Sequence, residues 1–175
     1  MKKYLMTLAA VLCCAMTTTV LTACGDDDDD KKAPVDDTTP VAITMVLTCE
    51  FTQDMLDYCD IVVKYSDESG EKSETVKSLT WTKTLTGKLP TTLKYSRTVT
   101  IKGGVDFSTI ESFKYSRGCR GTYSCVTATG KQANPSGVVS NSSSGAGKGE
   151  NMADLIQKGS LNEDHTFVCD ANGVH

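Results

Sequence analysis

Ile43-Thr44-Met45-Val46-Leu47-Thr48-Cys49-Glu50-Phe51 decides the fold class. Ile43, Met45, Leu47, Cys49 and Phe51 alternate with Thr44, Val46, Thr48 and Glu50, and an apolar period of two places one face of an extended strand against a core. The same pattern returns downstream. Cys59, Ile61, Val63 and Tyr65 alternate with Asp60, Val62, Lys64 and Ser66, after a short link at 53–56. Asp67-Glu68-Ser69-Gly70 has the chemistry of a hairpin turn. Residues 74–88 are rich in threonine and β-prone, with Leu79, Trp81 and Leu85 expected on one face; Pro90 then ends the strand, because it has no N–H to give to a ladder. In 93–102, Tyr95, Val99 and Ile101 face inward, and Gly103-Gly104 turns the chain.

Two further strands are predicted around 112–116 and 122–129, and 132–149, full of Ser, Asn and Gly, reads as a long flexible loop. Residues 150–158 predict a short C-terminal helix with Met152, Leu155 and Ile156 on one side and Gly159 as its stop. A last strand at 165–170 returns Phe167 and Cys169 to the core. Strands at this spacing, patterned on one face, indicate an all-β domain of antiparallel sheets. The expected fold is an antiparallel immunoglobulin-like β-sandwich over 41–175. If the strands through Cys49 and Cys59 form a hairpin, both thiols lie on its inward face.

The N-terminal end carries a different signal. Met1-Lys2-Lys3 precedes an apolar run, 5–20, which ends in Leu21-Thr22-Ala23-Cys24. A cationic start, a short apolar stretch and small residues before a cut site make a secretory signal. The run is interrupted by Thr17-Thr18-Thr19 and is too short for the roughly 20 apolar residues that span a bilayer. The segment resembles the lipobox of bacterial lipoproteins, which implies removal of 1–23 and lipidation of Cys24. Two or more acyl chains hold a protein stably on a membrane. Residues 25–40 follow with almost no apolar content and include five consecutive aspartates, Asp26 to Asp30. Such a segment is expected to stay unfolded as an extended stalk. An acidic run directly after the lipobox cysteine resembles the export signal of surface-displayed lipoproteins in gut-dwelling outer-membrane bacteria. It implies an outer-membrane, cell-surface location. The organisation of 41–102, including Trp81-Thr82-Lys83-Thr84-Leu85 and Lys88-Leu89-Pro90, is similar to small lipoproteins of those bacteria. That resemblance implies a β-sandwich and supplies no catalytic residues.

Charge narrows the partners. The whole chain is at −4. Residues 25–40 hold seven aspartates and two lysines, and 41–175 hold 15 acidic and 14 basic residues. A balanced body offers no basic face for nucleic acid. Past Cys24 there remain Cys49, Cys59, Cys119, Cys125 and Cys169. In an exported chain disulfides are the first expectation, with Cys119–Cys125 closing a loop and Cys49–Cys59 joining a hairpin as candidates; the alternative is that several are small buried thiols. Paired zinc-ligand spacing is absent, and Gly145-Ala146-Gly147-Lys148-Gly149 lacks the flanking residues of a phosphate loop. No serine elbow or carboxylate pair suggests catalysis, and neither a metal nor another cofactor is expected. The stretch 115–123, with Arg117, Arg120 and Tyr123, is the candidate contact loop. The sequence therefore predicts a non-catalytic binding or adhesion module, held to the membrane by its N-terminal lipid, that takes a glycan or protein ligand. The alternative is a structural or accessory subunit of an envelope complex, of a kind that could handle glycans.

Overall fold

Alternation at 43–49 produces a central strand. β1 (Pro40–Glu50) buries Ile43, Met45, Leu47 and Cys49 on one face, and each large side chain so buried contributes about 1.5–3 kcal/mol. It lies between β4 (Thr80–Lys88) and β6 (Phe113–Thr127), both antiparallel to it, with Cys49 opposite Trp81 on one side and Cys119 on the other. β7 (Gln132–Gly147) continues the sheet beyond β6, in the order β4-β1-β6-β7. The structure is a computed structural model that describes residues 37–175. Cys24, the signal sequence and the aspartate run lie outside the described residues.

After β1 the chain changes sheet. The Thr52 hydroxyl accepts the Met55 N–H at 3.2 Å and caps a short helix, α1 (Gln53–Tyr58). It leads into β2 (Cys59–Asp67), which pairs with β3 (Gly70–Thr75) and β5 (Thr91–Ile101). β8 (Glu163–Asp170) and the short β9 (Gly173–Val174) complete a second antiparallel sheet, β3-β2-β5-β8-β9. The described residues are thus all-β, in two antiparallel sheets with one core between them. The Trp81 ring from the first sheet meets Tyr65 and Tyr95 of the second at 5.8 and 5.9 Å between centroids. Below the sheets, α2 (Gly149–Gln157) adds Met152 and Ile156 to the core.

Several expectations need correction. β1 and β2 are not a hairpin, because α1 carries the chain into the other sheet. Residues 74–88 hold two strands with a break between them, and Leu79, in the break, is 49% exposed rather than inward. The two strands predicted at 112–129 are one continuous strand, β6, which runs through the expected contact loop. The expected loop at 132–149 is mostly β7, held by pairing along β6. Leu155 points away from the face shared by Met152 and Ile156, and Phe167 is only half-buried. Contacts with the body also extend ahead of 41. The Asp37 carboxylate accepts the Thr127 hydroxyl at 3.0 Å and also holds Thr129 and Lys131, and β1 starts at Pro40, paired with Thr127.

One polar fastener closes the β3–β4 corner. Glu74 accepts from Tyr65 Oη at 2.6 Å and from Trp81 Nε1 at 3.0 Å, and pairs with Lys83 Nζ at 2.5 Å. The Lys83 ammonium, then the Tyr65 and Trp81 donors, hold its pKa down to about 2 from an ordinary 4.5. A depressed carboxylate stabilises the fold above its unfolded pKa, and that contribution is lost as pH falls towards the folded value. Because Glu74 remains 38% exposed, screening keeps the effect at about 1 kcal/mol or less. Wild-type protein should therefore lose more stability than Glu74→Gln between about pH 5 and pH 2, compared by urea titration at each pH.

Candidate ligand-binding face

Side-chain alternation along β1 and β6 that fills the core also leaves Val46, Thr48, Arg120 and Thr122 on the outer face of the first sheet. Across β6 lies β7, whose residues here are Ser140, Ser142, Ser143 and Ser144. Large groups stand on one side of this face and minimal ones on the other, so the surface is hollowed. The resulting groove is about 790 Å³. Serine and threonine hydroxyls line it, Arg117 and Arg120 supply cationic donors, and Glu50 is its single acid.

Gly118 makes the groove's upper wall. Its φ of +100° is in the left-handed region, which glycine enters without the strain a Cβ brings. Arg117, whose parity along β6 would turn it inward, is exposed instead. The Gly118 N–H is donated to a Glu163 carboxylate oxygen, reaching from β6 to the second sheet.

Under the groove lies a buried polar cluster. Arg97 of β5 is 1% exposed. Its Nη2 is 3.1 Å from Glu163 Oε1, and its Nε and Nη2 donate to the Leu161 carbonyl at 3.2 and 3.0 Å. The guanidinium also stands over the Phe51 ring, 5.6 Å from its centroid, a favourable cation–π placement. His165 stacks on Tyr95 at 5.9 Å, and its Nε2 is 3.9 Å from Glu163 Oε2. Arg97 Nη1, Glu163 Oε2 and His165 Nε2 have no hydrogen-bond partner; buried polar atoms of this kind commonly hold an internal water. Beside them Cys49 Sγ is 2.7 Å from Cys119 Sγ and 3.2 Å from Tyr95 Oη. Contact with Cys119, then the Tyr95 hydroxyl and the Arg97 charge, lowers the Cys49 pKa against the effect of burial. Contact with Cys49 and burial raise that of Cys119. Burial pushes the lone Cys59 up to about 11.

No family model, curated protein or solved structure matches this chain. Its function has to be read from its own residues.

The structure brings Arg117 and Arg120 together on the groove but separates Tyr123 from them. Tyr123 is half-buried and lies along β7, so close that a Cβ at Gly137 would fall 3.0 Å from its hydroxyl. The five cysteines among the described residues are all buried thiols, and neither expected pairing is brought together. Cys119 and Cys125 sit on one extended strand, β6, where six residues span about 20 Å, beyond disulfide reach. Cys49 and Cys59 belong to different sheets. Sequence reasoning missed Arg97 and Glu163, although Arg97 shares the parity of Tyr95 and Val99.

A second hollow, about 580 Å³, lies between β5 and α2 on a floor that includes Val99, Phe107 and Ile156. It has no cationic side chain, and its Asp106 carboxylate already accepts from the Ser108 N–H and hydroxyl at 3.0 and 2.7 Å. Among the described residues there is no cluster of three His, Cys, Asp or Glu able to hold a metal, and no helix long and apolar enough to cross a membrane. Cys49, the thiol with the lowered pKa, is fully buried. The groove presents hydroxyls and guanidinium groups, and the cluster beneath it ties the two sheets together.

Proposed function

We propose that this chain is a lipid-anchored outer-membrane lipoprotein whose β-domain is displayed at the cell surface as a non-catalytic binding or adhesion module. The observation that carries the proposal is the hydroxyl-lined groove on the first sheet with Arg117 and Arg120 on its wall. Hydroxyls that both donate and accept suit a polyhydroxylated glycan or a polar protein loop, and guanidinium groups add charge-assisted bonds to any acidic group on the ligand. Display in many copies would raise avidity without any new contact. The finer fold reading, an immunoglobulin-like sandwich, belongs to the same proposal; consecutive strands that change sheet, as β1 and β2 do, support it. Lipidation of Cys24 rests on the lipobox resemblance alone.

The test is a glycan array probed with the detergent-purified full chain and with Arg117→Ala/Arg120→Ala. Loss of two charge-assisted contacts should weaken binding by about 10- to 100-fold. Silence on the array, with a membrane partner that co-purifies, would favour the accessory-subunit reading instead. Cys24→Ala should move the chain from the membrane to the soluble fraction, and retention would overturn the anchor.

A further inference from the structure

We propose that Cys49 and Cys119 are a disulfide site that cross-links β1 to β6 beneath the groove. The two residues face each other directly in the antiparallel register. Residues so placed have Cα atoms about 4.5–5.5 Å apart, inside the range that a disulfide bridges. Both side chains point to the same face, and the sulfurs already lie 2.7 Å apart. Among the described residues, no other pair of cysteines stands opposite one another on neighbouring strands. Cys59 faces Ile101, Cys125 faces Ile43 and Ala133, and Cys169 faces Thr91 and Val174.

Access is one-sided. Cys119 lines the groove and is 8% exposed, while Cys49 lies fully buried behind it. An organic disulfide, either small or carried by a thiol-disulfide exchange protein, meets Cys119 first, the less buried of the two thiols. The Cys119 thiolate attacks one of its sulfurs, forming a mixed disulfide and expelling the first thiolate. Cys49 then attacks the Cys119 sulfur and expels the second. Two thiol protons pass to the two departing thiolates, and the protein is oxidised by two electrons as the reagent is reduced. The Tyr95 hydroxyl, 3.2 Å from Cys49, and the nearby Arg97 charge stabilise the attacking thiolate. The bridge closes the chain between β1 and β6, a long loop of the kind whose closure most restricts the unfolded state.

The test uses the reduced full chain incubated with oxidised glutathione, quenched in acid, denatured and alkylated with N-ethylmaleimide. Trypsin, cutting after Arg117 and Arg120, isolates Cys119 on the tripeptide 118–120, and cleavage after Glu50 separates Cys49 from Cys59. The expected result is the tripeptide disulfide-linked to the peptide that ends at Glu50, and a melting temperature that drops by about 10 °C on reduction. Cys125→Ser should form the same link. Recovery of the tripeptide as its maleimide adduct overturns the proposal, as does linkage to Cys59, Cys125 or Cys169, or loss of the link in Cys125→Ser.

Discussion

Arg97→Met should destabilise the domain by about 3–5 kcal/mol, read as a lower urea midpoint at unchanged slope. The substitution preserves much of the side-chain volume, so the loss is one of charge and hydrogen bonding. Glu163, 6% exposed at its side chain, would keep its carboxylate with the Gly118 N–H as its hydrogen-bond donor and His165 Nε2 3.9 Å away. The Leu161 carbonyl would lose both donors from Arg97. Removing one member of a buried pair leaves the other uncompensated, whereas removing both is often close to neutral. Arg97→Met/Glu163→Leu should accordingly regain most of the stability lost in the single variant. A double variant no better than Arg97→Met would mean that the ion pair is not what the single change broke.

Gly118→Ala is expected to cost about 3 kcal/mol or more, and to abolish the proposed ligand binding at the groove along with it. Two effects act together. The φ of +100° strains any residue with a Cβ, and the added carbon would lie 1.6 Å from the Asn141 carbonyl oxygen. That neighbour is backbone in the paired strand β7, so relief requires β6 and β7 to separate where they form the groove. Gly130→Ala provides the control. Gly130 also has positive φ, +81°, but nothing lies within 4 Å of its missing Cβ, so strain alone acts and the cost should be about 1 kcal/mol. Equal losses in the two variants, measured by thermal melting, would remove the steric part of the argument.

Sequence patterning reveals the strands that bury a face and hides those that do not. Every inward position expected along 43–49 is buried, because alternation of apolar and polar side chains reports the core directly. β7 escapes the same reading. It is an edge strand whose residues are mostly Ser, Gly and Asn, and it is held by backbone pairing to β6 rather than by an apolar face of its own. Two of its three glycines are explained by the partner strand. A Cβ at Gly145 would fall 2.7 Å from the Tyr115 hydroxyl, and one at Gly137 meets the Tyr123 ring, so the tyrosines of β6 cover bare backbone across the pair. That information resides in register, which a single strand's composition does not encode. The cysteine partners were illegible for the same reason: Cys49 and Cys119 are 70 residues apart, and only the β1–β6 register makes them neighbours. Arg97 was legible by parity, as it falls between Tyr95 and Val99 on the inward face of β5. A charge on an apolar face reads as an exception until Glu163 arrives from β8.

The Asp37 contacts give the molecule a direction. They hold the incoming chain at the start of β1, beside the β6–β7 turn, while the groove occupies the far end of that strand around Thr48 and Glu50. Eleven extended residues separate those ends, roughly 35 Å. A ligand at the proposed groove would thus lie at the pole of the sheet opposite the one where the chain enters.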